Sequence, residues 1–285
     1  MAKKKSNKNR DSILDSSLIS TTFLNLESNK ELYDIKVIWC NDYIQVYKLN
    51  TKKIKNKRQE KDDSILNIDT DKLFKLGNKN NNELKQVEIK NIIRSKLECQ
   101  RLAKCNSNDW KTFITLTFSE NIQDISFANK EFNKFIFKIR RVYKELKYIC
   151  VPEFQKRGAI HYHLLTNIDV NNNNLIYKQL DNKKFLHIKY WNNGFDKVDN
   201  VNGDIKKIVG YISKYMTKDV DDRLFGKHRY LYSQNLTKPC VSYLNLSDSK
   251  HLLFFNRILK EKELIYQNKY ENHYNNDLIL FEEYL

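Results

Sequence analysis

The chain has 285 residues, enough for one large domain or for a catalytic domain with appendages. Its 51 Lys and Arg against 35 Asp and Glu give a net charge of +16, which points to a polyanionic partner, nucleic acid before membrane, unless an AT-rich genome has simply inflated Lys, Asn and Ile. The five cysteines (Cys40, Cys99, Cys105, Cys150, Cys240) form no CxxC pair and argue against a disulfide frame or zinc ribbon, and no stretch approaches the roughly 18 apolar residues of a membrane span.

In chain order, residues 1–20 read as a disordered basic tail, opening on "MAKKKSNKNR". Residues 21–85 form an N-terminal extension: "YDIKVIWCNDYIQVYKL" (33–49) has strand character, and the polar, asparagine-rich run from Asn56 to about Asn82 suits a linker. A helix is expected over Glu83–Ala103, with Val87, Ile89, Ile92, Ile93 and Leu97 set among charges. The main domain is placed at 86–240. Within it "FITLTF" (113–118) alternates as a strand, and Phe132, Phe135, Ile136, Ile139, Tyr143 and Leu146 recur at helical spacing. Two strands follow, 148–154 and 159–165, then a helix expected within 174–182 and strand-rich sequence near 187–201. A helix from Gly203 or Asp204 to about Lys218 and a polar-aromatic stretch close the domain, and 241–285 is expected to be a helical extension. The fold class is α+β: a central antiparallel sheet of about five strands with flanking helices.

The segment "VPEFQKRGAIHYHLLTN" (151–167) places two of the chain's six histidines one residue apart in a strand, so His161 and His163 share a face and Tyr162 faces the other way. A five-residue loop over 155–159 would set Glu153 opposite His161 and bring one carboxylate and two imidazoles to one side. Such a trio suits a divalent cation with open positions. Equally, the histidines can be ordinary hydrogen-bonded side chains and Glu153 can pair with Lys156 or Arg157 beside the turn. Those two cations are also candidate DNA contacts.

In "DIKKIVGYISKYMTKD" (204–219), Ile205, Ile208, Val209, Ile212 and Met216 form a buried stripe. Tyr211, Lys214, Tyr215 and Lys218 form a second one, which alone is either a wet flank or reactive groups. A phenol is a poor nucleophile until a neighbouring ammonium or metal favours its phenolate. A metal beside such a tyrosine is equipment for transesterifying a phosphodiester.

Taken together, "FITLTF", "PEFQKRG", "HYH" and "YISKYMTK" resemble the motifs of HUH endonucleases, in particular the rolling-circle replication initiators of plasmids and single-stranded-DNA phages. His161–Tyr162–His163 matches the His–hydrophobic–His motif, and Tyr-x-x-Lys is met twice, by Tyr211 with Lys214 and by Tyr215 with Lys218. The resemblance covers roughly 86–240. It implies nicking of one strand at an origin, a 5′-phosphotyrosine intermediate and a free 3′-OH primer, with Mg²⁺ or Mn²⁺ held by His161, His163 and Glu153. Tyr211 is expected to attack first and Tyr215 second, with Lys214 and Lys218 in support. The expected partners are single-stranded or origin DNA and a host helicase in trans, because no GxxxxGK[ST] loop occurs, and the expected place is the cytoplasm of a bacterial host. Two departures stand out: the N-terminal third matches no motif, and Gln234 sits where relatives carry a basic residue. An HUH-type transposase and a non-catalytic nucleic-acid-binding protein are the competing readings.

Overall fold

The computed structural model describes residues 32–55, 83–180, 183–201, 205–217, 222–224, 227–272 and 277–285. The basic tail and the linker-like stretch 56–82 therefore lie outside the described residues. Among those described, the fold is α+β, with four helices and two antiparallel sheets.

The first sheet joins the two ends of the chain. β1 (Leu32–Cys40) and β2 (Tyr43–Ile54) form a hairpin whose turn is taken by Asn41 at φ 57. β10 (Cys240–Leu244) adds beside β1, while β12 (Asp277–Tyr284) adds beside β2 and carries β11 (Leu264–Asn272) at its outer edge. Among its described residues the segment 241–285 is thus more strand than helix, not a helical extension; the helix it contains, α4 (Ser249–Leu259), is capped by Asp248. In "DLILFEEY" the buried Ile279 and Phe281 alternate with outward residues, a period of two that a helix cannot use.

The second sheet has the order β6-β7-β8-β3-β5-β4-β9. Its strands are β3 (Thr112–Thr117), β4 (Tyr148–Phe154), β5 (Ile160–Thr166), β6 (Leu175–Leu180), β7 (Lys183–Ile188), β8 (Asp196–Asn200) and β9 (Leu231–Tyr232). The helix expected within 174–182 is instead β6, paired in register with β7 from Leu175 opposite Ile188. Side-chain-capped turns at Asp169 and Asn172 occupy the residues up to Asn174, and Leu-Ile-Tyr after them suits a short strand.

Each face of this sheet is covered. Against one lies α2 (Ile125–Val142), whose Phe132, Phe135, Ile136 and Ile139 pack on Ile114, Leu116, Tyr162 and Leu164. Against the other lie α1 (Glu83–Cys105) and α3 (Ile205–Thr217), where Cys99, Leu102, Ile208, Ile212 and Met216 meet Phe113, Ile149, Val151 and Leu165. Helix α1 serves both sheets, since Ile89, Ile93 and Cys105 pack into the core of the first.

Candidate active site

The site is built on the β4–β5 hairpin. Gln155 N donates to Ala159 O and Gly158 N to Gln155 O, closing a loop over 155–159 with Gly158 at φ 90. A Cβ at that position would lie 2.9 Å from the Gln123 side chain. The loop fixes the register: Phe154 faces Ile160 and Glu153 faces His161, as the sequence predicts. Pro152 explains the sheet edge here. It has no N–H to donate, and β9 pairs β4 only at Ile149 and Cys150, so among the described residues no strand pairs with this edge at Glu153, which is nonetheless buried.

Glu153, His161 and His163 are 8%, 9% and 5% exposed on the α1–α3 side of the sheet. Tyr162 is fully buried on the other side, stacked on Phe132 with its hydroxyl donating to Asn129 Oδ1 at 2.7 Å. Burial pushes the Tyr162 phenol well above its ordinary range, so it is no candidate nucleophile.

His163 is the hub. Its Nε2 donates to Glu153 Oε2 at 2.6 Å, and its Nδ1 shares a 3.3 Å hydrogen bond with Thr115 Oγ1 of β3, the residue directly opposite it. Because a carboxylate accepts, the proton sits on Nε2, and in the neutral ring Nδ1 accepts from the threonine. The Tyr215 ring lies flat on His163, with centroids 3.5 Å apart and planes 13° apart, and Phe113 sits beside the pair, 5.9 Å from His163 and 6.0 Å from Tyr215.

Tyr215 arrives there because Ile208, Ile212 and Met216 seat α3 on the sheet, which turns the adjoining stripe toward the histidines. Lys214 is exposed, its Nζ 5.9 Å from the Tyr215 ring centroid. Tyr211 lies one turn earlier on α3, but its side chain is outside the described residues, as is all of Lys218. Lys156 and Arg157 are exposed on the turn, where Arg157 Nε donates to Gln155 Oε1. Among the described contacts, Glu153 meets His163 and neither turn cation.

Three further neighbours are not singled out as site residues by the sequence, Thr115 although it lies within "FITLTF". Thr115 belongs to the hydroxyl-bearing strand face that alternation does reveal, but its partner depends on pairing β3 with β5. Arg229, buried, lines a cavity of about 20 Å³ with Glu153 and Tyr215, room for one water-sized group. Arg223 lies over the Phe154 ring at 3.7 Å and donates to Gly158 O, bracing the hairpin turn. Only long-range folding brings residues 223 and 229 to this hairpin.

The donor set fits a divalent cation in identity: two imidazoles and a carboxylate share one face of the sheet, and Glu153 lines the small cavity. The side chains are not gathered around a point, however. His161 and His163 rings are 6.2 Å apart, and among the described residues no trio of metal-ligating side chains converges. An ion held at His163 Nε2 would replace the Glu153 hydrogen bond and shift the ring proton to Nδ1, where Thr115 Oγ1 would accept it.

Residues 111–220 match the family model of the replication-associated protein ORF2. The match covers less than half of the 285 residues and runs from the start of β3 past the end of α3, so it includes Glu153, both histidines and both tyrosines. It is consistent with a replication initiator that interacts with DNA. No curated protein and no solved structure matches the chain at a significant level. No helix among the described residues is long and apolar enough to cross a membrane.

Proposed function

We propose that the protein nicks and rejoins single-stranded DNA by tyrosine transesterification, as an HUH endonuclease that initiates rolling-circle replication. The observation that carries this reading is the meeting of Glu153, His161, His163 and the Tyr215 ring on one face of the sheet, inside the segment that is similar to replication-associated proteins.

The chemistry asked of these residues is modest. A tyrosine oxygen attacks phosphorus, the bond from phosphorus to the 3′ oxygen breaks, and that oxygen leaves with a proton as a 3′-OH. One phosphodiester is exchanged for another, so no nucleotide cofactor is consumed. His161, His163 and Glu153 would hold Mg²⁺ or Mn²⁺, which when bound supplies Lewis-acid polarisation of the phosphate. Helix α3 orients Tyr215, and its packing on the sheet keeps one side of the site dry. Arg229, beside Glu153 and Tyr215, is placed to offset negative charge on the phosphate.

Tyr211 opens the reaction and Tyr215, engaged by His163 until it is released, performs the second transfer; Lys214 and Lys218 favour the phenolates or hold phosphate. Lys156 and Arg157 on the exposed turn contact the DNA backbone. Strand separation is left to a host helicase in trans. Tyr211→Phe, Tyr215→Phe and the double variant test the assignment on labelled single-stranded origin DNA with Mn²⁺. Loss of the first adduct in Tyr211→Phe, and nicking without rejoining in Tyr215→Phe, is the expected pattern; the opposite pattern reverses the roles.

A further inference from the structure

A cleft of about 410 Å³ opens between the two sheets, along one flank of α1. Its walls come from β1, β10, the α1 residues Glu98, Arg101 and Leu102, and the edge strand β9 with the segment after it. We propose that this cleft binds single-stranded DNA as a second site beside the nicking centre, gripping the strand by stacked bases and phosphate contacts.

Charge is the first reason. Lys36, Lys55, Arg101 and Lys238 line the cleft, against Glu98 as the one carboxylate among its described lining residues. Lys36 and Arg101 are only 6% and 4% exposed. Burying cations is costly, and the fold nonetheless fixes Arg101 in place, its Nε donating to Gln45 Oε1 at 2.8 Å and its Nη2 to the Tyr47 hydroxyl at 2.6 Å.

Aromatic surface is the second. Tyr230 and Tyr232 stack on each other with centroids 5.7 Å apart and planes at 28°, and Tyr243 on the opposite wall carries Lys55 5.6 Å from its ring centroid. Aromatic faces interleaved with cations suit unstacked bases on a charged backbone, which is single-strand chemistry; a duplex keeps its base faces covered. An acidic peptide would use the cations and leave the stacked tyrosines without a role.

Position is the third. Tyr232 pairs with Ile149 of β4, and Glu153 is four residues further along that strand, about 13 Å away. Tyr230, Tyr232 and Tyr215 also pack against one hydrophobic cluster on one face of the sheet. The cleft therefore lies within a few nucleotides' span of the proposed nicking centre. Every lining residue falls outside 111–220, so the cleft lies outside the segment that matches the family model.

The proposal rests on the reading above for the choice of DNA, and its test separates the two. Fluorescence anisotropy in EDTA would follow the full chain binding a labelled oligothymidylate of roughly 16 nucleotides. Lys238→Glu, Lys55→Glu and Tyr232→Leu should each lower affinity about tenfold, the two lysine variants with unchanged melting temperature and Tyr232→Leu still folded at the assay temperature. Adduct formation on a short oligonucleotide spanning only the nick, at saturating concentration, should stay at the wild-type level. Unchanged oligothymidylate affinity in all three variants would overturn the cleft while leaving nicking intact. Weakened affinity in a chain that forms no adduct would uphold the cleft and remove the nicking reading. A labelled polyglutamate peptide whose binding alone is weakened by the variants would assign the cleft to an acidic protein segment and overturn the proposal.

Discussion

Glu153 stands directly across from His161 in the β4–β5 pair, yet its carboxylate takes its hydrogen bond from the next histidine along, His163 Nε2, at 2.6 Å. A cation bound by this trio would have to displace the Glu153–His163 hydrogen bond. Calorimetric titration with Mn²⁺ should therefore show loss of binding in His161→Ala and His163→Ala. Glu153→Ala should weaken it by about 10- to 100-fold, since water can fill an open position, and Thr115→Val by about tenfold through the ring it orients. Equal affinity across the four variants would remove the clamp.

The two faces of β5 have separate duties. Tyr162→Phe deletes a hydroxyl bonded to Asn129 on the α2 side while leaving the histidine face untouched. Denaturant unfolding should report a loss of about 1 kcal/mol, with adduct formation unchanged. A fall in adduct formation without a loss of stability would mean the faces are not independent.

Gly158 sets the register. At φ 90 an alanine is strained whatever the neighbouring Gln123 does, so Gly158→Ala should cost about 1–2 kcal/mol. Nicking should fall with it, because Glu153 and His161 owe their opposition to this loop. Full activity with full stability would show that the loop tolerates another turn.

These cases mark where the chain is legible. Glu153 opposite His161 follows from counting five loop residues and applying the two-residue period of a strand, both local facts. The buried stripe of α3 likewise follows from 3.6-residue spacing, and Ile208, Ile212 and Met216 lie where it puts them. The first sheet is another matter. β2 pairs with β12 across most of the chain, and no local periodicity near Tyr47 names Phe281 as its partner. Non-local pairing also hides Arg229 and the cleft, whose walls come from three distant stretches. The 174–182 error is different: "NNLIYKQL" is too short to show a period, and only the partner strand β7 settles its state.

Alkaline stability should follow the buried phenols. Burial pushes the Tyr148 phenol up to about 12 from 10.0, so the folded state holds this proton more tightly than the unfolded chain. Its contribution is present in full below pH 10 and is lost as pH rises from there through about 12. Urea unfolding at a series of alkaline pH values should show that decline, and Tyr148→Phe should flatten it. An identical decline in the variant would place the effect on other groups.

The central claim is covalent chemistry at α3, and peptide mapping of the DNA adduct tests it most directly. The chain would be incubated with 5′-end-free single-stranded origin DNA and Mn²⁺, digested with protease, and the nucleotide-bearing peptide sequenced by mass spectrometry. The predicted result is a phosphotyrosine at Tyr211 in the wild type, moving to Tyr215 only after the first transfer, with no adduct when both are phenylalanine. An adduct on any residue outside α3, or cleavage that persists in the double variant, would contradict the account.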